Sequence, residues 1–494
     1  MNGIPLIAVP SVLLAGALTV PLSRAIVPRL PKRPGEKSDP ALASAWTAVL
    51  VCGLALIPAL IAWRSPVLVL FGPEQADRWG LHLDALSGPM LAATVLAFLL
   101  AAAAGLASED TNRTSHSLLL AAAFASVLLV LAQNLWMLAV VVELSVVLSS
   151  LLVLHAATCV GDTSLGLRYF AVAQVGGALL IAALFGLGLA ERSGVAGYSV
   201  PLAAMQDAQS GVALSAPHTL ASLLSVLAIG FLVCCCAGCV LFLGPRASQI
   251  APGVRMAVSG GWFLALTCAF LRVGFQVLPF AQWERAPGIV RTLAAALGIA
   301  GAVGVFGADR PGPRHAWMML GQLGGACLIT ALASKEAVGL AAVAFIAVGL
   351  SRCGAVTVDA SPPREANGRR ADMTGVAAAV GLAASAVALL AAFSVPGWRL
   401  GGVLTGLVGV ALLAEAVRLG WQRASERGAV QPLRLVIAAL AAAAAVAVVA
   451  PGVSGRLARG IVHDLRLERQ FISKPMPLDS LRGDPGDARD ASGR

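Results

Sequence analysis

Glu143 is the residue whose chemistry most needs explaining. It stands in the run LWMLAVVVELSVVLSSLLVL, with no other charged side chain within two helical turns on either side. A carboxyl group in so apolar a run either exchanges a proton or satisfies a partner on a neighbouring helix. Arg272, in ALTCAFLRVGF, is the second such group. It reads either as a snorkelling or packing arginine, or as a charge serving a site. Glu415 and Arg418 stand three apart, the spacing of a local pair on one helix face.

Cys234, Cys235, Cys236 and Cys239 look like metal ligands at first sight. On a helix only Cys235 or Cys236 faces Cys239 at a time, and no His is close in sequence. Zinc and iron–sulfur clusters want four converging ligands. The cluster therefore reads as small residues for close helix packing. No Gly-rich phosphate loop, c-type haem motif or nucleophile–base pair stands elsewhere, so no catalytic residue, metal or cofactor is expected.

The elements that carry these groups are set by composition. Of 494 residues, 58% are apolar and only 12% charged, and the mean hydropathy is +0.84. A soluble surface needs roughly a quarter to a third of its positions charged. Apolar runs of about twenty residues, each able to cross ~30 Å of hydrocarbon, recur from end to end. They fall at 4–26, 42–63, 84–107, 116–133, 135–157, 168–190, 219–243, 256–280, 288–307, 316–334, 336–357, 374–394, 400–420 and 432–451. The expected fold class is all-α, a polytopic membrane protein of about fourteen transmembrane helices. The first run lacks a positive segment before it and is long for a signal peptide, so it is expected to stay as a helix.

Loop charges give an independent reading of topology. The odd-numbered loops collect Lys and Arg, among them Lys32, Arg33, Arg255, Arg352, Arg369 and Arg423, while the even ones carry few, such as Arg64 and Arg78. Cytoplasmic loops are the basic ones, so both termini are expected on the periplasmic side. The Ala- and Arg-rich, Lys-poor composition is that of a high-GC bacterium, which makes the membrane an inner membrane. Topology thus explains the net charge of +10 without a nucleic-acid partner. Beyond Pro451 the chain turns polar. Gly455 to Ile472 has the spacing of a surface-lying helix, and Asp479 to Arg494 reads as disordered.

Four stretches together resemble the antiporter-like membrane subunits of respiratory complex I, above all the M-type subunit, and their relatives in Mrp-type sodium/proton antiporters and membrane-bound hydrogenases. HLDALSGPM, His82 to Met90, is similar to the family's Asp-Gly-Leu-Ser segment before its third helix. Asn134 to Leu151 is similar to the fifth helix, with Glu143 at the family's glutamate. Leu167 to Ala190 is similar to the Lys-Phe-Phe segment, with Arg168 for the lysine. RHAWMMLGQLGGACLITAL, Arg314 to Leu332, resembles the Lys-Arg-Leu-Leu-Ala-Tyr-Ser segment. The resemblance covers roughly 80–455 and implies two inverted repeats of about five helices, each with a broken helix. It also implies other membrane subunits as partners within the bilayer, any redox chemistry lying outside this chain, and Glu143 as the proton-transfer candidate with Arg168 and Arg272 secondary.

The same alignment shows departures. The lysine of the family's seventh helix falls on Cys234, the eighth helix's histidine and lysine on Gly260 and Ala265, and the eleventh helix's on Ala342 and Ile346. The run 374–394 holds no charge at all. Of the family's buried relay only Glu143 remains, so conduction through this chain, or a scaffold role in a cation/proton antiporter, hydrogenase or inorganic-carbon uptake complex, are both open. The expected organisation is three N-terminal helices over 1–110, an antiporter-like core over 111–357, further helices over 358–451 and a polar tail over 452–494.

Overall fold

A computed structural model describes residues 4–26, 40–62, 67–71, 79–106, 113–191, 217–244, 246–278, 287–308, 311–331, 335–359, 379–383, 386, 389, 409–410, 432–449 and 451–464. The helices are α1 (Ile4–Ile26), α2 (Pro40–Ala62), α3 (Ser87–Leu106), α4 (Arg113–Leu131), α5 (Leu135–Cys159), α6 (Thr163–Glu191) and α7 (Pro217–Val240). They continue with α8 (Pro252–Val277), α9 (Pro287–Gly307), α10 (Pro311–Thr330), α11 (Lys335–Asp359), α12 (Pro432–Val449) and α13 (Pro451–Asp464). Helices α2, α7, α8, α9, α10, α12 and α13 all begin on proline, where the missing N–H is one the first turn could not have used.

Among the described residues nine helices are long and apolar enough to cross a membrane: α1, α2, α3, α5, α6, α7, α8, α9 and α11. The pair α12–α13, bent by 63°, makes a tenth if counted as one span. The expected spans at 374–394 and 400–420 lie largely outside the described residues, as do Glu415, Arg418 and the stretch 479–494.

Nearly uniform apolarity hides which helices are central, because lipid and protein interior ask for the same side chains. Burial separates them. Helix α8 is wholly enclosed and α11 almost so, while fewer than half of the residues in the apolar stretches of α1, α2, α6 and α9 are buried. Arg255, Ser259, Thr267, Arg272 and Gln276 of α8 are all buried. In hydrocarbon such groups must be satisfied by protein, which puts α8 at the centre.

Two features were not expected from the sequence. Strands β1 (Val67–Phe71) and β2 (Trp79–Leu83) form an antiparallel hairpin in register Val67↔Leu83 to Phe71↔Trp79. A further bridge from Leu81 to Ala132 pins it to the turn between α4 and α5. The polar tail helix, α13, starts earlier than its spacing suggested, directly after α12, and does not lie free. A methyl group on Gly339 of α11 would stand 2.8 Å from the Cα of Ala458, so the two helices cross in close contact.

Candidate functional site

Asn134 starts α5 by accepting a hydrogen bond from the Met137 amide on its side-chain oxygen at 2.7 Å. Two and a half turns on, Glu143 lies half-buried on the flank of the bundle. Gln174 of α6 donates to its carboxylate at 2.7 Å. Around it the same two helices expose Val140, Phe170 and Val175. Among the described residues neither Arg168 nor Arg272 pairs with Glu143. Arg168 is exposed near the start of α6, and Arg272 is committed elsewhere.

The positions onto which the resemblance places the family's relay are buried. Cys234, Ala265, Ala342 and Ile346 are all buried to within about a percent. Gly176 of α6 lies against Cys234 of α7, whose thiol donates to the Ala173 carbonyl at 3.6 Å. Gly260 of α8 lies against the Cys353 sulfur and the Gly349 carbonyl of α11. Small residues let these helices approach closely.

The charge at the centre comes from a residue that sequence reasoning put among the cytoplasmic loop cations. Arg352 lies inside α11 at 2% exposure. It donates from Nε to Gln322 Oε1 at 3.2 Å, from Nη1 to the Ser259 carbonyl at 3.4 Å and from Nη2 to the Met319 carbonyl at 2.7 Å. Its guanidinium sits 4.0 Å above the centre of the Phe263 ring. Arg255, also assigned to a loop, is buried at the start of α8, with its guanidinium 5.7 Å from the Phe242 ring centre. Both lie inside helices rather than loops, because loop edges drawn by hydropathy cannot distinguish a loop arginine from one inside a helix end. The available signal for Arg352 was its place within the run 336–357.

Arg272 occupies a second buried cluster, at the N-terminal edge of α3. It donates to the Val130 and Ala132 carbonyls at 2.9 and 2.7 Å, to His82 Nδ1 at 2.9 Å and to Asp84 Oδ2 at 3.3 Å. Gln276 adds a hydrogen bond to the same carboxylate oxygen at 2.9 Å. The other oxygen, Asp84 Oδ1, accepts from the Leu86 and Ser87 amides and so starts α3. Burial works against the Asp84 charge. The Arg272 guanidinium, with the bonds from Ser87 and Gln276, outweighs it, holding the carboxyl well below the usual carboxylate range. This arginine does not snorkel. It ties the hairpin, the end of α4 and the start of α3 to α8.

Among the described residues no three His, Cys, Asp or Glu side chains converge as a metal site.

No sequence-family profile and no curated protein sequence matches the chain. Solved structures do. The chain is similar to one of respiratory complex I from Thermus thermophilus with bound NADH, with a TM-score of 0.69 at 18% identity over 94% of this chain and 98% of that one. Against the Mrp complex from a Dietzia species the TM-score is 0.68 at 16% identity, over 94% and 98% of the two chains. Against the membrane-bound sulfane sulfur reductase, an archaeal respiratory membrane complex, it is 0.66 at 12% identity, over 87% and 74%. The chain thus shares its fold with a chain of respiratory complex I and a chain of the Mrp complex, in line with the resemblance carried by its sequence.

Proposed function

We propose that this chain is a membrane subunit of a multi-subunit, complex I-type ion-translocating assembly in a bacterial inner membrane. The observation that carries the reading is the fold shared along 94% of its length with chains of complex I and the Mrp complex. In this reading the chain has about fourteen spans, both termini periplasmic and its core over 111–357, and partner subunits hold whatever redox or substrate chemistry drives the complex. Glu143 supports a lateral neighbour. A partly exposed carboxylate at mid-span, with a neutral amide for its partner, is costly against lipid. A helix of another subunit that brings a cation or hydrogen-bond donor removes that cost.

Two roles within the complex divide the remaining possibilities: a conducting antiporter-like module, or a scaffold that joins conducting neighbours. The contact of Gly176 with Cys234 favours the scaffold. The test is purification of the tagged chain from native membranes in mild detergent, with the partners identified by mass spectrometry. Co-purification with oxidoreductase subunits, with antiporter subunits, or with a large zinc protein resembling carbonic anhydrase names the complex. A stable, active monomer overturns the subunit reading.

A further inference from the structure

The last turn of α5 carries a thiol and an imidazole side by side. Among the nine cysteines Cys159 alone is exposed. Its Sγ lies 3.9 Å from Nε2 of half-buried His155, one turn back on the same helix face. Residues four apart are how a helix presents two side chains to one zinc ion. Zinc bonded to an imidazole nitrogen at ~2.0 Å and a thiolate sulfur at ~2.3 Å, with a tetrahedral angle between them, holds the two atoms roughly 3.6 Å apart. The observed separation lies a few tenths of an ångström from that bite, so a small adjustment of either side chain closes it.

The backbone beneath the pair is fixed from both sides. The Asp162 amide donates to the Ala157 carbonyl at 2.9 Å, and Gly161 turns the chain at a φ of 72°. Arg246, from the link between α7 and α8, donates to the Val160 and Gly161 carbonyls at 3.2 and 2.9 Å. Asp162 Oδ1 accepts from the Ser164 hydroxyl and the Leu165 amide and so starts α6. Cys159 stands beyond the apolar run 135–157, where an aqueous ion reaches it without entering hydrocarbon.

We infer that His155 and Cys159 form a binding site for a borderline-soft divalent cation of the zinc class, at the polar edge of the membrane. Thiolate and imidazole select such an ion over magnesium and calcium, which take oxygen ligands. Among the described residues no third His, Cys, Asp or Glu converges on the pair. Water therefore fills the remaining positions, and the ion exchanges readily, unlike one in a closed structural site. The site goes beyond the subunit reading and does not depend on it.

The test reads the thiol itself. The chain is purified in mild detergent with whatever partners accompany it, and maleimide labelling is followed over time on the peptide that contains Cys159. Micromolar zinc slows wild-type labelling several-fold, a chelator restores it, and millimolar magnesium has no effect. Protection deepens from about pH 6 to about pH 8, because the metal competes with protons for both ligands. His155→Gln, which keeps the bulk but removes the imidazole, labels at the same rate with and without zinc. Wild-type labelling that zinc does not slow overturns the inference. Equal protection in His155→Gln overturns it too, since the thiolate then binds alone, and so does equal protection by magnesium.

Discussion

A methyl group placed on Gly176 would stand 2.6 Å from both the amide nitrogen and the sulfur of Cys234. Helices α6 and α7 are therefore in backbone contact at the position where the resemblance calls for a lysine. The chain carries Cys234 there, packed against Gly176. A lysine there, Cys234→Lys, adds three methylenes and puts an ammonium in place of the thiol, so roughly 3 kcal/mol or more of destabilisation is expected from overpacking and unpaired charge. Cys234→Ser, nearly the same size, is tolerated. The amount of assembled complex on native gels checks both, and a fully assembled Cys234→Lys complex contradicts the close-packed account.

The pair Asp84–Arg272 makes a separate prediction. Removing one partner of a buried pair costs about 3–5 kcal/mol, because the other is left charged and unmatched. Arg272→Met should therefore lower the thermal stability of the purified complex well below that of a surface Arg substitution. Asp84→Asn carries a pH signature. The folded carboxyl lies below its unfolded value of about 3.9, so its contribution is fully present above that value and is lost as pH falls below it. The stability gap between wild type and Asp84→Asn persists through the neutral range and narrows only below about pH 4. A gap that is absent at neutral pH excludes the pair as a structural tie.

Topology is testable in intact cells. Cysteines introduced one at a time at Lys32, Arg369 and Arg423, each on an expected cytoplasmic loop, should resist a membrane-impermeant thiol reagent until the membrane is broken. Labelling of any of them from outside overturns the order of spans.

What the sequence made legible was length and hydropathy. The bounds of α1, α2, α5, α9 and α11 fall within a few residues of the apolar runs that announced them. The hairpin over 67–83 escaped because five-residue strands between long helices leave no periodic signal above the loop background. The depth of each helix escaped too, since α8 and α2 are both apolar yet one is enclosed and the other faces outward. Arg352 was visible as a residue but not as a site. Its meaning depends on Ser259, Met319 and Gln322 converging from two other helices, and sequence separation hides that. Glu143 was legible because a lone carboxyl in a long apolar run needs no geometry to be noticed. Its outward-leaning position, with Gln174 for company, needed the structure.

The account's central claim is that this chain belongs to an ion-translocating complex without itself carrying a working charge relay. Glu143→Gln tests it most directly, because the amide keeps the shape and can still hydrogen-bond Gln174 while losing the titratable proton. Ion translocation by the intact, driven complex in liposomes is compared with wild type, after native gels establish equal assembly. The account predicts a mild effect, with most of the translocation rate retained and assembly unchanged, whereas Glu143→Ala impairs assembly by leaving the Gln174 amide unmatched. A near-complete loss of translocation in a fully assembled Glu143→Gln complex would contradict it, and would make Glu143 part of a working proton path.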